Sequence, residues 1–137
     1  MARHFESTVS SLALNLLRII TGFFLMPHGA QKLFGMFGGF RGQPGATAPL
    51  FSLMGLGGVL EFFGGLAILL GVFTRPVAFV LSGLMAVAYF MAHASKGFWP
   101  LLNRGELAAM YSFVFLFLAA TGGGELSIDR LLRRKKR

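Results

Sequence analysis

The chain has no cysteine among its 137 residues, which excludes disulfides, thiolate metal ligands and CxxC redox pairs. Any redox role must therefore use a bound cofactor or a partner protein. Charged residues are also scarce, at 13% of the chain, whereas a soluble domain has about 25%. Neither HExxH nor another tight ligand spacing occurs, so the signal for a metal site is weak and no metal ligands are assigned.

Apolar residues dominate instead. They make up 55% of the chain, and the mean hydropathy is +0.68. This composition is typical of integral membrane proteins, and 137 residues suffice for a single domain. Apolar runs predict helices at roughly 11–34, 50–72, 76–94 and 106–121, the last barely long enough to span. The expected fold is an all-α transmembrane bundle of four helices. We expect the first helix to stay in the mature protein, because Arg18 interrupts its apolar run.

The net charge of +8 is concentrated at the C-terminus, where six of the thirteen basic residues occupy the last eight positions. We interpret the tail at 125–137 as a cytoplasmic anchor against anionic lipid rather than as a nucleic-acid site. With four spans, both termini lie on the same side. Lys and Arg outside the spans then favour that side by eight to four, which predicts cytoplasmic termini.

The first predicted helix carries a stripe of polar and small residues around Arg18. A charge facing lipid at the bilayer centre costs at least ~2.5–3.5 kcal/mol, so the stripe should face protein. Glu61 lies near the middle of the second helix, on a face rich in glycine. Helical rise places Arg18 at ~10–12 Å and Glu61 at ~15 Å from the same membrane edge. We therefore predict an Arg18–Glu61 pair, which either clamps the helices or also carries protons or binds a headgroup.

A second group of polar residues is predicted at the outer face. By helical rise, His28 and His93 both lie ~25 Å from the cytoplasmic edge. Imidazole can relay protons, hydrogen-bond a quinol or ligate a metal, and two histidines can also bracket a haem iron. A structural role, in which the histidines bond loop carbonyls, stays open. The residues expected around them are Lys32, Tyr89, Lys96, Trp99, Asn103, Arg104 and Glu106.

Several segments resemble the DoxX family of small four-helix membrane proteins. They are LRIITGFFLMPHGAQKLFG (17–35), LEFFGGLAILLGVFTRPVA (60–78), YFMAHASKGFWPLLNRGELAAMYSF (89–113) and ELSID (125–129). The chain departs from the family at Asn103-Arg104-Gly105-Glu106, where Asn-Gly-Gly-Glu is expected. The resemblance implies a bacterial plasma membrane protein. Some relatives are described as subunits of quinol-oxidising or thiosulfate:quinone oxidoreductase systems, and others as partners of redox-defence proteins. The family pattern picks out Arg18, His28, Gly29, Lys32, Glu61, Gly65, Arg75, His93, Asn103 and Glu106.

Our first functional hypothesis is a membrane subunit of a quinone-linked redox complex, which holds a quinone or similar amphipathic ligand near the outer leaflet. His28, His93 and Glu61 would contact the ligand or move protons. Haem or metal is a less favoured cofactor. The alternative is a non-enzymatic scaffold or assembly partner that docks redox-defence proteins, and a third hypothesis is a small transporter. A protein partner or a homo-oligomer is expected in each case. The further ligand-binding residues predicted are Arg18, Lys32, Trp99, Asn103 and Glu106.

Overall fold

A computed structural model describes residues 2–135, with side chains described for 7–135. Its regular structure is helical, as the composition predicted. The α-helices of this part are α1 (Ala2–Phe34), α2 (Leu53–Leu70), α3 (Thr74–Ala92), α4 (Pro100–Asn103), α5 (Glu106–Thr121) and α6 (Ile128–Arg134). The four predicted helices correspond to α1, α2, α3 and α5, while α4 lies in the loop between α3 and α5 and α6 lies in the basic tail.

The helix ends differ from the predicted ones for local reasons. α2 is shorter at both ends, because the Ser52 side chain caps its start and Gly71 ends it in a left-handed conformation with φ 71°. α3 begins two residues early, at Thr74, where the carboxylate of Asp129 accepts the backbone N–H groups of Phe73 and Thr74 at 2.8 Å each. α1 begins at Ala2 instead of residue 11.

Three helical segments are long and apolar enough to cross a membrane: Ser7–Phe34, Leu53–Leu70 and Thr74–Lys96, with mean hydropathies of 1.7, 2.0 and 1.8. α5 is shorter, at 16 residues. Large apolar side chains such as Phe63, Phe79 and Phe113 are more exposed than buried. An outer surface of this kind suits lipid and would promote aggregation in water. The protein is therefore an integral membrane helical bundle.

The bundle consists of two tight helix pairs, α1 with α2 and α3 with α5, which α2 and α3 join. Two glycine contacts hold the first pair. A Cβ on Gly22 would lie 2.6 Å from the carbonyl oxygen of Gly65, and a Cβ on Gly29 would lie 2.6 Å from that of Gly58. Both helices thus place glycine at the same seven-residue spacing. Because lipid supplies no hydrophobic drive, such close backbone approach is a main source of helix association.

The second pair is held by hydrogen bonds between serines. Ser82 Oγ on α3 donates to the carbonyl of Ser112 on α5 at 2.8 Å, and Ser112 Oγ donates back to the carbonyl of Ser82 at 3.0 Å. A common core then joins the two pairs. Its buried members are Leu25, Ile68, Ala78, Leu81, Met85, Tyr111, Phe115 and Leu118.

Arg18 ties the C-terminal segment to both helices of the first pair. Its side chain is 1% exposed. The guanidinium donates to the carbonyls of Gly123 at 2.7 Å, Ile68 at 2.8 Å and Leu126 at 3.1 Å, and also to that of Leu69. These carbonyls lie at the end of α2 and in the turn that follows α5. One side chain therefore satisfies backbone acceptors from two distant parts of the chain.

The predicted Arg18–Glu61 pair is wrong. Arg18 is level with the last turn of α2, seven residues beyond Glu61 along that helix, or ~10 Å by helical rise. Glu61 instead binds Lys32, on the last turn of α1. The error arose because helical rise gives depth only relative to a membrane edge, and that edge was assumed to lie at residue 11 of α1. The polar stripe does face protein, as Asn15, Arg18 and Thr21 are buried.

We expect Gly29→Ala to destabilise the bundle, because the new methyl group would meet the Gly58 carbonyl and force α1 away from α2. The expected loss is about 1–3 kcal/mol in the free energy of unfolding, measured by denaturant titration in detergent. Gly83→Ala is the matched control, since open space surrounds that position in α3. It should be neutral or slightly stabilising, because alanine favours helix. Equal effects of the two changes would contradict the glycine contact.

We expect Arg18→Lys to loosen the C-terminal segment even though it keeps the positive charge. An ammonium group cannot reach carbonyls on opposite sides of the guanidinium, so buried acceptors lose their donors at a cost of about 1–3 kcal/mol each. Limited proteolysis should cut residues 122–130 faster than in the unaltered protein. Arg133→Lys, at an exposed position, should leave the cleavage rate unchanged. Unchanged cleavage in Arg18→Lys would disprove the role of Arg18.

Candidate functional site: a cavity between the two helix pairs

A cavity of about 350 Å³ opens between the two helix pairs, at the end of the bundle opposite α6. Its walls come from the last turns of α1 and α3 and the first turns of α2 and α5. Most lining residues are apolar, among them Leu25, Met54, Met85 and Met91. The polar side chains that line it are His28, Lys32, Glu61, His93, Arg104 and Tyr111. A largely apolar cavity with a few converging polar groups is the usual form of a small-molecule site.

An ion pair between Lys32 and Glu61 forms one wall of the cavity. Lys32 Nζ lies 2.6 Å from Glu61 Oε1 and 2.5 Å from Oε2. The side chains are 21% and 9% exposed, so the pair is largely withdrawn from the surroundings. Each charge stabilises the other, because an unpaired charge in this environment would be costly. Because Glu61 balances Lys32, the nearby Arg104 gives the cavity one surplus positive charge.

The two predicted histidines line the same cavity. His28 lies one helical turn before Lys32 on α1, and its ring is exposed to the cavity with no hydrogen-bond partner among the described residues. His93 follows the end of α3, and its Nδ1 lies 3.0 Å from the carbonyl oxygen of Asn103. A carbonyl can only accept, so Nδ1 donates and the Nε2 of the neutral ring remains an acceptor. The structural role considered above, in which a histidine bonds a loop carbonyl, therefore applies to Nδ1 of His93.

Asn103 organises the loop between α3 and α5 and does not line the cavity. It is 1% exposed. Its Nδ2 donates to the Tyr89 hydroxyl at 3.2 Å and to the Gly97 carbonyl at 2.8 Å, while its Oδ1 accepts the N–H of Gly105 at 2.8 Å. These bonds hold the loop that carries Arg104. Asn103 therefore contributes to the cavity indirectly, by fixing the loop that positions Arg104.

Arg104 occupies a backbone position that favours glycine. Its φ is 59° and its ψ is 26°, in the left-handed region, which costs a residue with a Cβ about 1–2 kcal/mol. This is also the position where the family pattern led us to expect glycine. The strain brings a guanidinium to the cavity, where a glycine would leave only backbone.

Three other predicted ligand-binding residues lie outside the cavity lining. Arg18 is at the opposite end of α2, as described above. Trp99 is 65% exposed and packs edge-to-face on Phe98, with ring centroids 5.2 Å apart, which suits an anchor at the membrane surface. Glu106 is exposed in the first turn of α5. Within residues 7–135, no group of three His, Asp or Glu side chains is placed to hold a metal.

Tyr111 belongs to the cavity although the sequence analysis did not identify it. It is 8% exposed on α5, and its ring stacks on Phe115 with centroids 5.7 Å apart. It lines the same cavity as Glu61. The available signal was weak: Tyr111 is one of two tyrosines and lies in an otherwise apolar run, with no spacing that links it to Glu61.

Comparison with known proteins agrees with this architecture. The DoxX family model matches residues 13–94. The chain belongs to the DoxX family. No solved structure matches it.

Three relatives span most of the chain and of their own length. An "Uncharacterized protein" of Haemophilus influenzae is 38% identical over 122 residues, which cover 87% of this chain and 90% of the relative. The "Inner membrane protein YqjF" of Escherichia coli is 42% identical over 96 residues, covering 69% and 68% respectively. The "Putative oxidoreductase CatD" of Bacillus subtilis is 30% identical over 122 residues, covering 89% and 88%. Membership in a membrane family and the apolar helices identify the chain as a multi-pass membrane protein.

The geometry predicts that Lys32 and Glu61 are energetically coupled. We expect Lys32→Gln and Glu61→Gln each to lower the free energy of unfolding by about 1–3 kcal/mol, because each leaves a charge unpaired in the cavity. The double variant should lose less than the sum of the two. The measurement is a double-mutant cycle by denaturant titration in detergent. Additive losses would show that the two side chains do not interact in the folded protein.

Proposed function

We propose that this DoxX protein is an inner-membrane subunit that holds the head of a quinone, or of a similar amphipathic ligand, in the cavity at the outer end of the bundle. The single observation that carries the proposal is the convergence of His28, Lys32, Glu61 and His93 from three helices on one mostly apolar cavity. The relative named as an inner membrane protein supports the location. The relative named as a putative oxidoreductase supports a redox setting.

The chemistry of the cavity suits a ring with oxygen substituents. Lys32 and Arg104 can donate to carbonyl oxygens, and the surplus positive charge favours an oxygen that becomes negative on reduction. His93 offers Nε2 as an acceptor for a hydroxyl, since its Nδ1 is occupied by a carbonyl. The apolar walls accept a ring or an alkyl chain. When bound, a quinone would supply the electron-carrying chemistry, since the chain has no cysteine that could do so.

Two groups in the cavity can hold or move protons. His28 has no hydrogen-bond partner within the described residues and is open to the cavity, so its imidazole is free to exchange a proton with a bound ligand. Glu61 is paired with Lys32 in the resting arrangement. A ligand oxygen that draws Lys32 away would leave Glu61 free to accept a proton. In this scheme Arg18 has a structural role only.

Orientation follows from charge. The basic tail and the α2–α3 turn lie at the end opposite the cavity, and the excess of Lys and Arg at that end favours the cytoplasm. The cavity then faces the outer leaflet. The proposed orientation has both termini in the cytoplasm and rests on the same charge bias as the prediction from the sequence.

A quinone titration tests the proposal. Trp99 is the sole tryptophan of the chain and lies in the outer loop, so quenching of its fluorescence by a short-chain ubiquinone analogue reports binding in detergent. We expect His28→Ala to weaken binding about tenfold, the effect of one lost hydrogen bond to a ligand. His4→Ala, at the third histidine, should bind as the unaltered protein does. Equal affinity in all three proteins, with unchanged unfolding curves, would refute the quinone site.

The scaffold hypothesis remains the second candidate, because the outer loop exposes a cluster of apolar side chains. Phe98, Trp99, Leu101 and Leu102 are each 65% exposed or more. Such a surface either enters the membrane interface or docks a partner protein. Affinity capture of the membrane complex separates the two functions. A scaffold would lose its partner when residues 130–137 or the apolar loop side chains are removed, and would retain it in His28→Ala.

A further inference from the structure

A second, smaller depression of about 180 Å³ lies at the opposite end of the bundle. It is formed where α3 begins, where α5 ends and where the segment 122–133 folds back beneath them. Three arginines line it: Arg75 on α3, and Arg130 and Arg133 on α6. Two carboxylates, Glu125 and Asp129, also belong to its lining. The quinone proposal makes no use of this site.

The two carboxylates already have partners. Asp129 accepts the N–H groups of Phe73 and Thr74 at the start of α3. Glu125 Oε2 lies 3.1 Å from Arg130 Nε and 3.3 Å from Arg134 Nη2. Glu125 is therefore occupied by arginines of α6, whereas Asp129 keeps its negative charge although both of its oxygens are bonded to backbone. With three arginines against two carboxylates, the lining keeps a net positive charge.

Arg75 and Arg133 carry charges that no carboxylate of the described residues pairs with. Arg75 makes one long hydrogen bond, at 3.4 Å, from Nη2 to the Thr121 carbonyl. Both side chains belong to exposed residues. Glycine at position 122 lets Arg75 lie against the backbone, since a Cβ there would be 3.2 Å from Arg75 Nε. The depression thus offers two free guanidinium groups over a glycine floor.

Its position places these groups at the edge of the membrane. The spanning segment Thr74–Lys96 begins beside the depression, and α5 ends beside it at Thr121. α6 carries Leu131 and Leu132, both more than half exposed, on the side of the helix opposite Arg130, Arg133 and Arg134. A short helix with one apolar and one basic face lies in the headgroup layer. The free guanidinium groups are then at the depth of lipid phosphates.

We propose that this depression is a binding site for the phosphate of an anionic phospholipid such as phosphatidylglycerol, with Arg75 and Arg133 as its ligands. Guanidinium groups bind phosphate oxygens in a fixed planar geometry, and two of them can hold one phosphate from two sides. A zwitterionic lipid has the same phosphate but brings its own cation into a region already rich in arginine. The site therefore distinguishes lipids by net charge.

Native mass spectrometry of the full chain in detergent, with added phosphatidylglycerol, tests this site by counting bound lipid molecules. We expect Arg75→Gln with Arg133→Gln to reduce the affinity of the tightest-bound lipid roughly 30-fold, at about fivefold for each cation near the surface. Lys135→Gln is the matched control: it removes one positive charge directly after α6, at an exposed residue outside the depression that has no ion pair among the described residues. Its effect should be twofold or less. Unfolding curves of all variants should coincide, because the altered side chains are exposed.

Three outcomes would overturn the proposal. A loss of fivefold or more in Lys135→Gln, about the loss expected for one arginine of the depression, would show diffuse attraction of the tail to anionic lipid. Equal binding of phosphatidylcholine would show that net charge is not recognised. Displacement of the lipid by millimolar inorganic phosphate would show a site for free phosphate instead of a headgroup. Selective, Arg75- and Arg133-dependent retention of phosphatidylglycerol would support it. These results are independent of quinone binding, which is measured at the other end of the bundle.

Discussion

The architecture depends on close backbone contact between helices in a solvent that does not drive them together. In lipid, apolar side chains gain little by meeting one another, so association must come from packing and polar contacts. The glycines at 22 and 29 face those at 65 and 58, and the serines at 82 and 112 exchange hydrogen bonds. Each helix pair is therefore stabilised by contacts between its own two helices. The two pairs meet mainly through α2 and α3, which leaves room between them at the end opposite α6.

That room explains why a polar cluster can exist at membrane depth. Lys32 and Glu61 face each other across the tight α1–α2 seam, while His93 and Arg104 approach from the other pair. The cost of placing ionisable groups there is reduced by pairing for Lys32 and Glu61 and by position near the surface for Arg104. Asn103 fixes the loop geometry on which Arg104 depends. The cavity thus combines one rigid wall with one wall built on a loop.

Sequence reasoning predicted the helices well because lipid imposes apolar runs of about 20 residues. It also predicted that His28 and His93 share one end of the bundle, since both follow long apolar stretches that rise in the same direction. The partner of Glu61 was wrong, because helical rise gives no register between two helices. The supporting role of Asn103 could not be predicted either, because its contacts with Tyr89 and Gly97 depend on how the loop folds back. Tyr111 could not be assigned to the cavity from the sequence, because that requires knowing which helices are neighbours in the bundle.

The bonds of Arg18 have a consequence for synthesis. Arg18 enters the membrane with the first helix, but two of its acceptors, Gly123 and Leu126, lie 105 and 108 residues later in the chain. Once α2 is made, the guanidinium can bond the carbonyls of Ile68 and Leu69, but its remaining N–H groups must be solvated by water or by lipid phosphates. Its full set of acceptors forms only when the last part of the protein leaves the ribosome. A nascent chain that stops short of residue 123 therefore has only half of these acceptors, and docking of the C-terminal segment supplies the rest.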